Sequence, residues 1–155
     1  MAYLNKGNTA EEAKTQCLRL NTAGIRHRDM MMPGAAGKGK LLQEAELSAM
    51  LENATKPDMV ILTTMSVFQG TALEKAVKSG GFTMAPESEI LQAEQRFIEQ
   101  LDIPNTYLWA AHSLDSTRIA GLLRDKKESM LKALQHSIDT IDDNVFSRTF
   151  QRNHL

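Results

Sequence analysis

The chain has 155 residues, of which 42% are apolar and 24% are charged, and its formal net charge is −1. This composition is typical of one globular domain, here residues 1–155, and the near-neutral charge favours neither nucleic acid nor a membrane surface as partner. The single cysteine excludes an intrachain disulfide and any cysteine-rich zinc or iron–sulfur centre built from this chain alone.

The first predicted elements are a helix over 9–23 and a strand over 25–32. Thr9 and Glu12 have the spacing of a capping box at a helix start. Apolar residues recur at helical spacing along this segment and include Cys17, so we expect Cys17 to be a small buried apolar side chain. The strand ends in consecutive methionines, which are typical core-filling residues.

A glycine-rich loop follows this strand and leads into a helix predicted over 41–54. Strand, loop and helix in this order suit backbone N–H groups that point at an anion or a nucleotide. Gly34, Gly39 and Lys40 have the spacing of a phosphate-binding P-loop. However, Leu41 occupies the position where that motif has the Ser or Thr that binds magnesium.

The next strand is predicted over 59–65 and is a near-continuous apolar run, typical of a strand covered on both faces in a parallel sheet. No acidic residue ends it, so both magnesium contacts of a P-loop NTPase are missing. Strand, helix and strand together predict a right-handed βαβ unit. Thr63, Thr64 and Met65 end this strand. The pattern is equally consistent with residues that contact a ligand and with residues that only terminate the strand.

Beyond this unit the sequence predicts helices over 70–78, 86–101 and 125–141, a third strand over 106–111 and a polar tail over 142–155. His112 directly follows the third strand, where α/β proteins place functional side chains. The simpler interpretation is a histidine satisfied by hydrogen bonds.

Metal binding and nucleic-acid binding are not predicted. The four histidines are scattered, with no i, i+4 pair and no acid cluster at metal-ligand spacing. No basic stripe with interleaved aromatic residues is present either. The sequence also lacks a signal-peptide pattern and any apolar run near the roughly 20 residues of a membrane span, so we expect a cytoplasmic protein.

Five stretches of the chain occur in an informative order. They read LNKGNTAEEA, MMMPGAAGK, PDMVILTTMSVFQGTAL and HSLDS followed by DKKESML. Their order and spacing resemble the C-terminal half of a radical S-adenosylmethionine (radical SAM) enzyme barrel over residues 4–150. The resemblance implies an α/β fold, namely a partial (β/α) barrel fragment with about three main parallel strands and helices packed around them.

The resemblance also implies a set of site residues. The strands over 25–32 and 59–65, with the turns after them, resemble the fifth and sixth strands of the family barrel, whose ends pack around the adenine and ribose of S-adenosylmethionine. The implied cofactor-binding positions are Pro33, Gly34, Gly37, Thr63, Thr64 and Met65, with His112 as a substrate-side candidate. The family usually has Asn three residues after that histidine, whereas this chain has Asp115.

No catalytic residue is implied for this chain by itself. The family chemistry starts from a [4Fe-4S] cluster held by a C-x-x-x-C-x-x-C motif near the first strand, and this chain has neither that motif nor the first four strands. A missing N-terminal half would have to supply the cluster. Whether the chain belongs to an enzyme is therefore open at the level of sequence.

The sequence leaves two interpretations. In the first, the chain is a truncated or split radical SAM segment that completes the S-adenosylmethionine and substrate side of a barrel. Its partner is then an N-terminal half-barrel protein or a second copy, joined through the exposed edge of the strand over 25–32. In the second, it is a degenerate stand-alone nucleotide- or partner-binding α/β domain, with a P-loop-like phosphate binder the least favoured form.

Overall fold

A computed structural model describes residues 7–149 of the chain. In chain order, the elements are α1 (Ala10–Thr22), β1 (Arg28–Met31), α2 (Leu41–Thr55), β2 (Met59–Leu62), α3 (Ala72–Lys78), α4 (Glu87–Gln100), β3 (Tyr107–Ala110), β4 (Ile119–Leu122), α5 (Leu123–Thr140) and α6 (Asp143–Thr149). None of the helices within this range is both long enough and apolar enough to cross a membrane.

The strands form one open sheet of four in the order β1-β2-β3-β4. The first three are parallel, and β4 pairs antiparallel with β3. The chain is therefore α/β, as predicted, but its sheet is mixed. The fourth strand was not predicted, because Ile-Ala-Gly-Leu is short and contains Gly121, and glycine is unfavourable in strands unless pairing compensates.

The two faces of the sheet differ, because successive side chains of a strand point to opposite sides. One face is buried and carries Val60, Leu62 and Leu108, which belong to the main core. On the other face the register places Met30, Ile61 and Trp109 side by side. We call this second surface the open face. Its large apolar residues, all half-buried or exposed, are Met30, Met59, Ile61, Tyr107, Trp109 and Leu122.

Helices α2, α4 and α5 pack in that order as one layer over the buried face, and α1 packs against α2. The crossovers β1-α2-β2 and β2-α4-β3 run in the same direction across the sheet. Right-handed connections therefore place α2 and α4 on the same side. The expectation that β2 is covered on both faces is thus wrong, since the layer covers Val60 and Leu62 while Ile61 stays half-buried.

Most predicted boundaries agree with the structure to within a few residues. The strands are shorter than predicted, since β1 and β2 each have 4 residues. Part of the predicted polar tail is helical, since α6 covers Asp143–Thr149. The Asp143 carboxylate anchors the start of this helix to α4, because it accepts hydrogen bonds from the Ser88 N–H (2.9 Å) and hydroxyl (2.6 Å). Residues 150–155 of that tail lie outside the described residues.

Candidate functional site

The C-terminal ends of β1, β2 and β3 meet at one edge of the sheet, which we call the C-terminal edge. Parallel pairing continues past the strands there, because Thr63 N–H donates to Met31 O at 3.0 Å and Met65 N–H donates to Pro33 O at 2.9 Å. A Cβ atom on Gly34 would lie 3.5 Å from the Met65 Cβ. The structure therefore brings together the positions that the sequence resemblance implied on the first two strands.

Asp115 joins the ends of β2 and β3. Thr64 donates its N–H and its hydroxyl to Asp115 Oδ1, each at 3.1 Å, and His112 N–H donates to Asp115 Oδ2 at 2.9 Å. The Asp115 side chain is almost completely buried. Sequence reasoning noted this residue only as a departure from the family pattern. An acidic residue three positions after a histidine at a strand end is the sequence feature that could have indicated the role of Asp115.

His112 sits at the junction of the C-terminal edge and the open face. Its ring packs edge-on against Trp109, with centroids 6.4 Å apart and planes at 78°. Nδ1 accepts a hydrogen bond from Leu114 N–H at 3.2 Å. This contact assigns the neutral ring proton to Nε2, which leaves an N–H donor on the side of the ring away from the backbone.

The glycine loop closes around a carboxyl group of the protein itself. Glu44 lies in the first turn of α2 and receives backbone hydrogen bonds from Ala36, Gly34 and Ala35. Burial raises the pKa of Glu44, and these hydrogen bonds lower it by less than burial raises it. The N–H groups predicted to bind an external anion thus already face an internal one.

The second half of the loop packs against the segment that follows α3. Lys38 N–H donates to Thr83 O at 2.9 Å, and a Cβ on Gly37 would lie 3.1 Å from the Phe82 ring. Gly37 also has φ +81°, a conformation that favours glycine. The P-loop-like lysine, Lys40, is exposed at the start of α2.

Most predicted cofactor positions are covered by packing. The side chains or backbones of Pro33, Gly34, Gly37, Thr64 and Met65 are buried, and Thr63 is half-buried. A cavity beneath the loop, next to α4, has a volume of about 10 Å³, close to that of one water. Ligand contact at the C-terminal edge would therefore use backbone groups, the Thr63 side chain and the His112 ring.

A second polar cluster lies near the start of β1, away from the C-terminal edge. The Cys17 sulfur, a His27 ring nitrogen and an Asp29 carboxylate oxygen all lie within 4.8 Å of one another. Cys17 is half-buried against these polar groups and is not the buried apolar residue that its helical spacing predicted. Sequence spacing gave no sign of this cluster, because α1 and β1 supply its members separately.

Comparisons with known proteins add no identification. No protein-family model matches the chain, and no curated protein matches its sequence.

Proposed function

We propose that this chain is the C-terminal segment of a truncated or split radical SAM protein, which completes the S-adenosylmethionine and substrate side of a partial (β/α) barrel. The observation that carries the proposal is the one-sided sheet. Three parallel strands have helices on one face, and apolar side chains on the other face are left uncovered. In a (β/α) barrel the helices lie outside, and the inner faces of the strands pack against one another.

The open face has the composition of such an inner surface. Met30 is 70% exposed, and Met59, Ile61 and Trp109 beside it are half-buried. Leaving these side chains in water forgoes about 25 cal/mol for each Å² of apolar surface that a partner would cover. An N-terminal half-barrel would cover them with the inner face of its own strands.

The edges of the sheet indicate where the missing half would join. Within the described part of the chain, β1 pairs only with β2, so its other edge offers free N–H and C=O groups to an incoming parallel strand. At the opposite edge, β4 runs antiparallel and caps β3. β4 is the other edge of the sheet, but its antiparallel direction departs from the all-parallel pairing of a (β/α) barrel, so the proposal places the missing half at β1.

In this proposal, the C-terminal edge supplies the adenosyl side of the cofactor site. Pro33, Gly34, Gly37, Thr63, Thr64 and Met65 shape the turns against which the adenine and ribose would lie. His112 faces the substrate side with the Nε2–H donor described above. The partner would supply the [4Fe-4S] cluster and its electron, so this chain is not catalytic by itself, and the pair would work in the cytoplasm.

The alternative is a degenerate stand-alone domain that binds a nucleotide or uses the open face for a protein partner without catalysis. Its phosphate-binding form is disfavoured, because the Glu44 carboxyl group already occupies the loop N–H groups. The absence of a hydroxyl at Leu41 disfavours the same form on chemical grounds.

A nuclear magnetic resonance titration tests the proposal. The ¹⁵N-labelled chain is titrated with S-adenosylmethionine, and with ATP as the control nucleotide. Half of the cofactor contacts are missing, so we expect a dissociation constant of about 1 mM, or about −4 kcal/mol. Amide shifts should concentrate at residues 33–37 and 63–65, and Thr63→Ala should weaken them.

Two results would overturn the assignment of this site. The first is an unchanged spectrum at several millimolar (mM) S-adenosylmethionine, well above the roughly 1 mM expected. The second is a set of shifts that ATP reproduces with equal affinity, which would indicate general nucleotide binding.

A further inference from the structure

We propose that Cys17, His27 and Asp29 form a binding site for a divalent transition metal ion, with Zn²⁺ the best match, and that the carboxylate of the neighbouring Glu52 supplies the fourth ligand when the ion binds. The site lies between α1, β1 and α2 and is separate from the C-terminal edge. Cysteine sulfur, histidine nitrogen and carboxylate oxygen are the ligands that zinc takes in proteins, usually four in a tetrahedron.

The spacing of the ligand atoms is close to that of a zinc centre. Bond lengths of about 2.0–2.3 Å place tetrahedral ligand atoms roughly 3.3–3.8 Å apart. The relevant atoms of Cys17, His27 and Asp29 already lie within 4.8 Å of one another. Asp29 Oδ1 is 2.8 Å from His27 Nδ1, so a small side-chain rotation would open this contact enough to admit an ion.

Glu52 is the independent observation that points to a cation. Its side chain is 2% exposed, and Oε2 has no hydrogen-bond partner among the described residues. The Glu52 carboxyl group hydrogen-bonds with the carboxyl group of Asp29. A buried and a half-buried carboxyl group in contact are costly when both are ionised, and a divalent ion between them would convert repulsion into ligation.

The surroundings of His27 suit a metal ligand. The other ring nitrogen, Nε2, lies 3.3 Å from Thr55 O. Nδ1 lies 2.8 Å from Asp29 Oδ1. A bound metal ion would take the place of a proton in this Nδ1 contact, while Nε2–H would keep its contact with the carbonyl oxygen. A backbone carbonyl in this position is the usual way in which proteins orient a metal-binding histidine.

The expected role of the ion is to fix α1 to the rest of the domain. No residue of α1 is fully buried, so packing alone holds this helix weakly. Cys17 lies in the middle of α1, whereas the other three ligands belong to or adjoin β1 and α2. An ion bound to all four would tie the helix to the sheet at one point.

Cobalt substitution in the untagged full chain tests the site. The protein is purified with chelator, titrated with Co²⁺ and then with Zn²⁺. We expect one equivalent of Co²⁺ to produce a thiolate-to-cobalt charge-transfer band that Zn²⁺ abolishes, together with a rise in melting temperature. The Cys17→Ser variant should lose the band, and Glu52→Gln should weaken binding about tenfold or more, at least 1.4 kcal/mol.

The matched control is His136→Gln, which changes an exposed histidine on α5 and should leave the titration unchanged. X-ray absorption of the zinc-loaded wild type provides a readout that does not depend on variant folding, and one sulfur in the coordination shell is expected. Absence of the charge-transfer band at stoichiometric Co²⁺, or of sulfur from the zinc shell, would overturn the proposal. Neither result bears on S-adenosylmethionine binding.

Discussion

Thr64 donates both its backbone N–H and its hydroxyl to the Oδ1 atom of Asp115, with each distance 3.1 Å. This pair joins the end of β2 to the loop after β3, across 51 residues of sequence. The second carboxylate oxygen holds the backbone of His112. One buried carboxylate thus sets the relative positions of two candidate site segments.

Replacement of Asp115 by Ala should destabilise the fold. It leaves the two Thr64 donors and the His112 N–H without their acceptor in a buried setting, and we expect a loss of about 2–4 kcal/mol in the free energy of unfolding. Urea denaturation followed by circular dichroism measures it. Asp102→Ala, at an exposed position, is the control and should change stability by less than about 0.5 kcal/mol. A similar effect of both substitutions would contradict the prediction.

Stability should fall as pH rises from about 4.5 to about 8. Burial, followed by the charge and hydrogen bond of Asp29, raises the pKa of Glu52 from 4.5 to about 8. Between these two pH values the folded protein keeps the Glu52 proton, whereas the unfolded chain loses it. The stabilisation from this proton is therefore complete below pH 4.5 and is lost as the pH rises to about 8. The slope is at most about 1.4 kcal/mol per pH unit from this group.

Urea midpoints measured between pH 4.5 and 8 in the presence of chelator test this slope. The two limits are the ordinary pKa of a glutamate and the raised pKa of Glu52 in the fold. The Glu52→Gln variant has no proton to lose and should have a flatter profile. That variant still contains the other titratable residues of the cluster, Cys17, His27 and Asp29. An identical slope in wild type and variant would show that Glu52 is not its source.

Removal of Glu44 should create an anion site. In Glu44→Ala the N–H groups of Gly34 and Ala36 lose the Glu44 carboxyl group as acceptor, whereas Ala35 N–H keeps Met32 O at 3.3 Å, and the expected cost is about 1–3 kcal/mol. Inorganic phosphate should restore part of the lost stability in this variant and have little effect on the wild type. Thermal unfolding with and without phosphate is the measurement.

Glu46→Ala is the control for this prediction, since it removes an exposed carboxylate of the same helix that pairs with Arg96 at the surface. The contrary outcome is an ATP-induced stabilisation of the wild type that disappears in Lys40→Ala. That result would revive the P-loop interpretation.

The isolated chain should self-associate through the open face and the free edge of β1. Met30→Lys places a charge on this surface and should shift the population toward monomer, as charged residues do on exposed sheet surfaces and edges. Light scattering over a concentration series measures the shift. Met50→Lys is the matched control, because Met50 is a similarly exposed methionine (67%) on α2, outside the open face.

A wild-type chain that stays monomeric at high concentration and melts cooperatively would contradict this prediction. An equal effect of both lysine substitutions would also contradict it, because general charge would then explain the change.

Local features of the sequence predicted the helices well. The Thr9–Glu12 capping box is present, with Thr9 N–H to Glu12 Oε2 at 2.7 Å and Glu12 N–H to Thr9 Oγ1 at 3.2 Å. The parallel pairing of β1 and β2 also followed from the βαβ order. Strand lengths and β4 did not, because short strands depend on the neighbour with which they pair.

The polar groups of both candidate sites depended on the tertiary structure. Nothing adjacent in sequence relates Thr64 to Asp115, or Cys17 to Glu52, and each group finds its partner only when separate elements pack. Glu44 is the clearest case. The glycines of the loop predicted an anion-binding site, but they did not predict that a carboxyl group of the following helix, α2, would occupy that site.

The sequence by itself determined the α/β class, the order of the elements apart from β4 and α6, and the alignment of the candidate residues at strand ends, because these depend on local periodicity and on turns. The tertiary structure alone decided which face of the sheet stays open, where β4 pairs and which buried carboxyl groups meet. These features depend on contacts between distant residues, whose free energies are set only when the whole sheet and its helical layer have assembled.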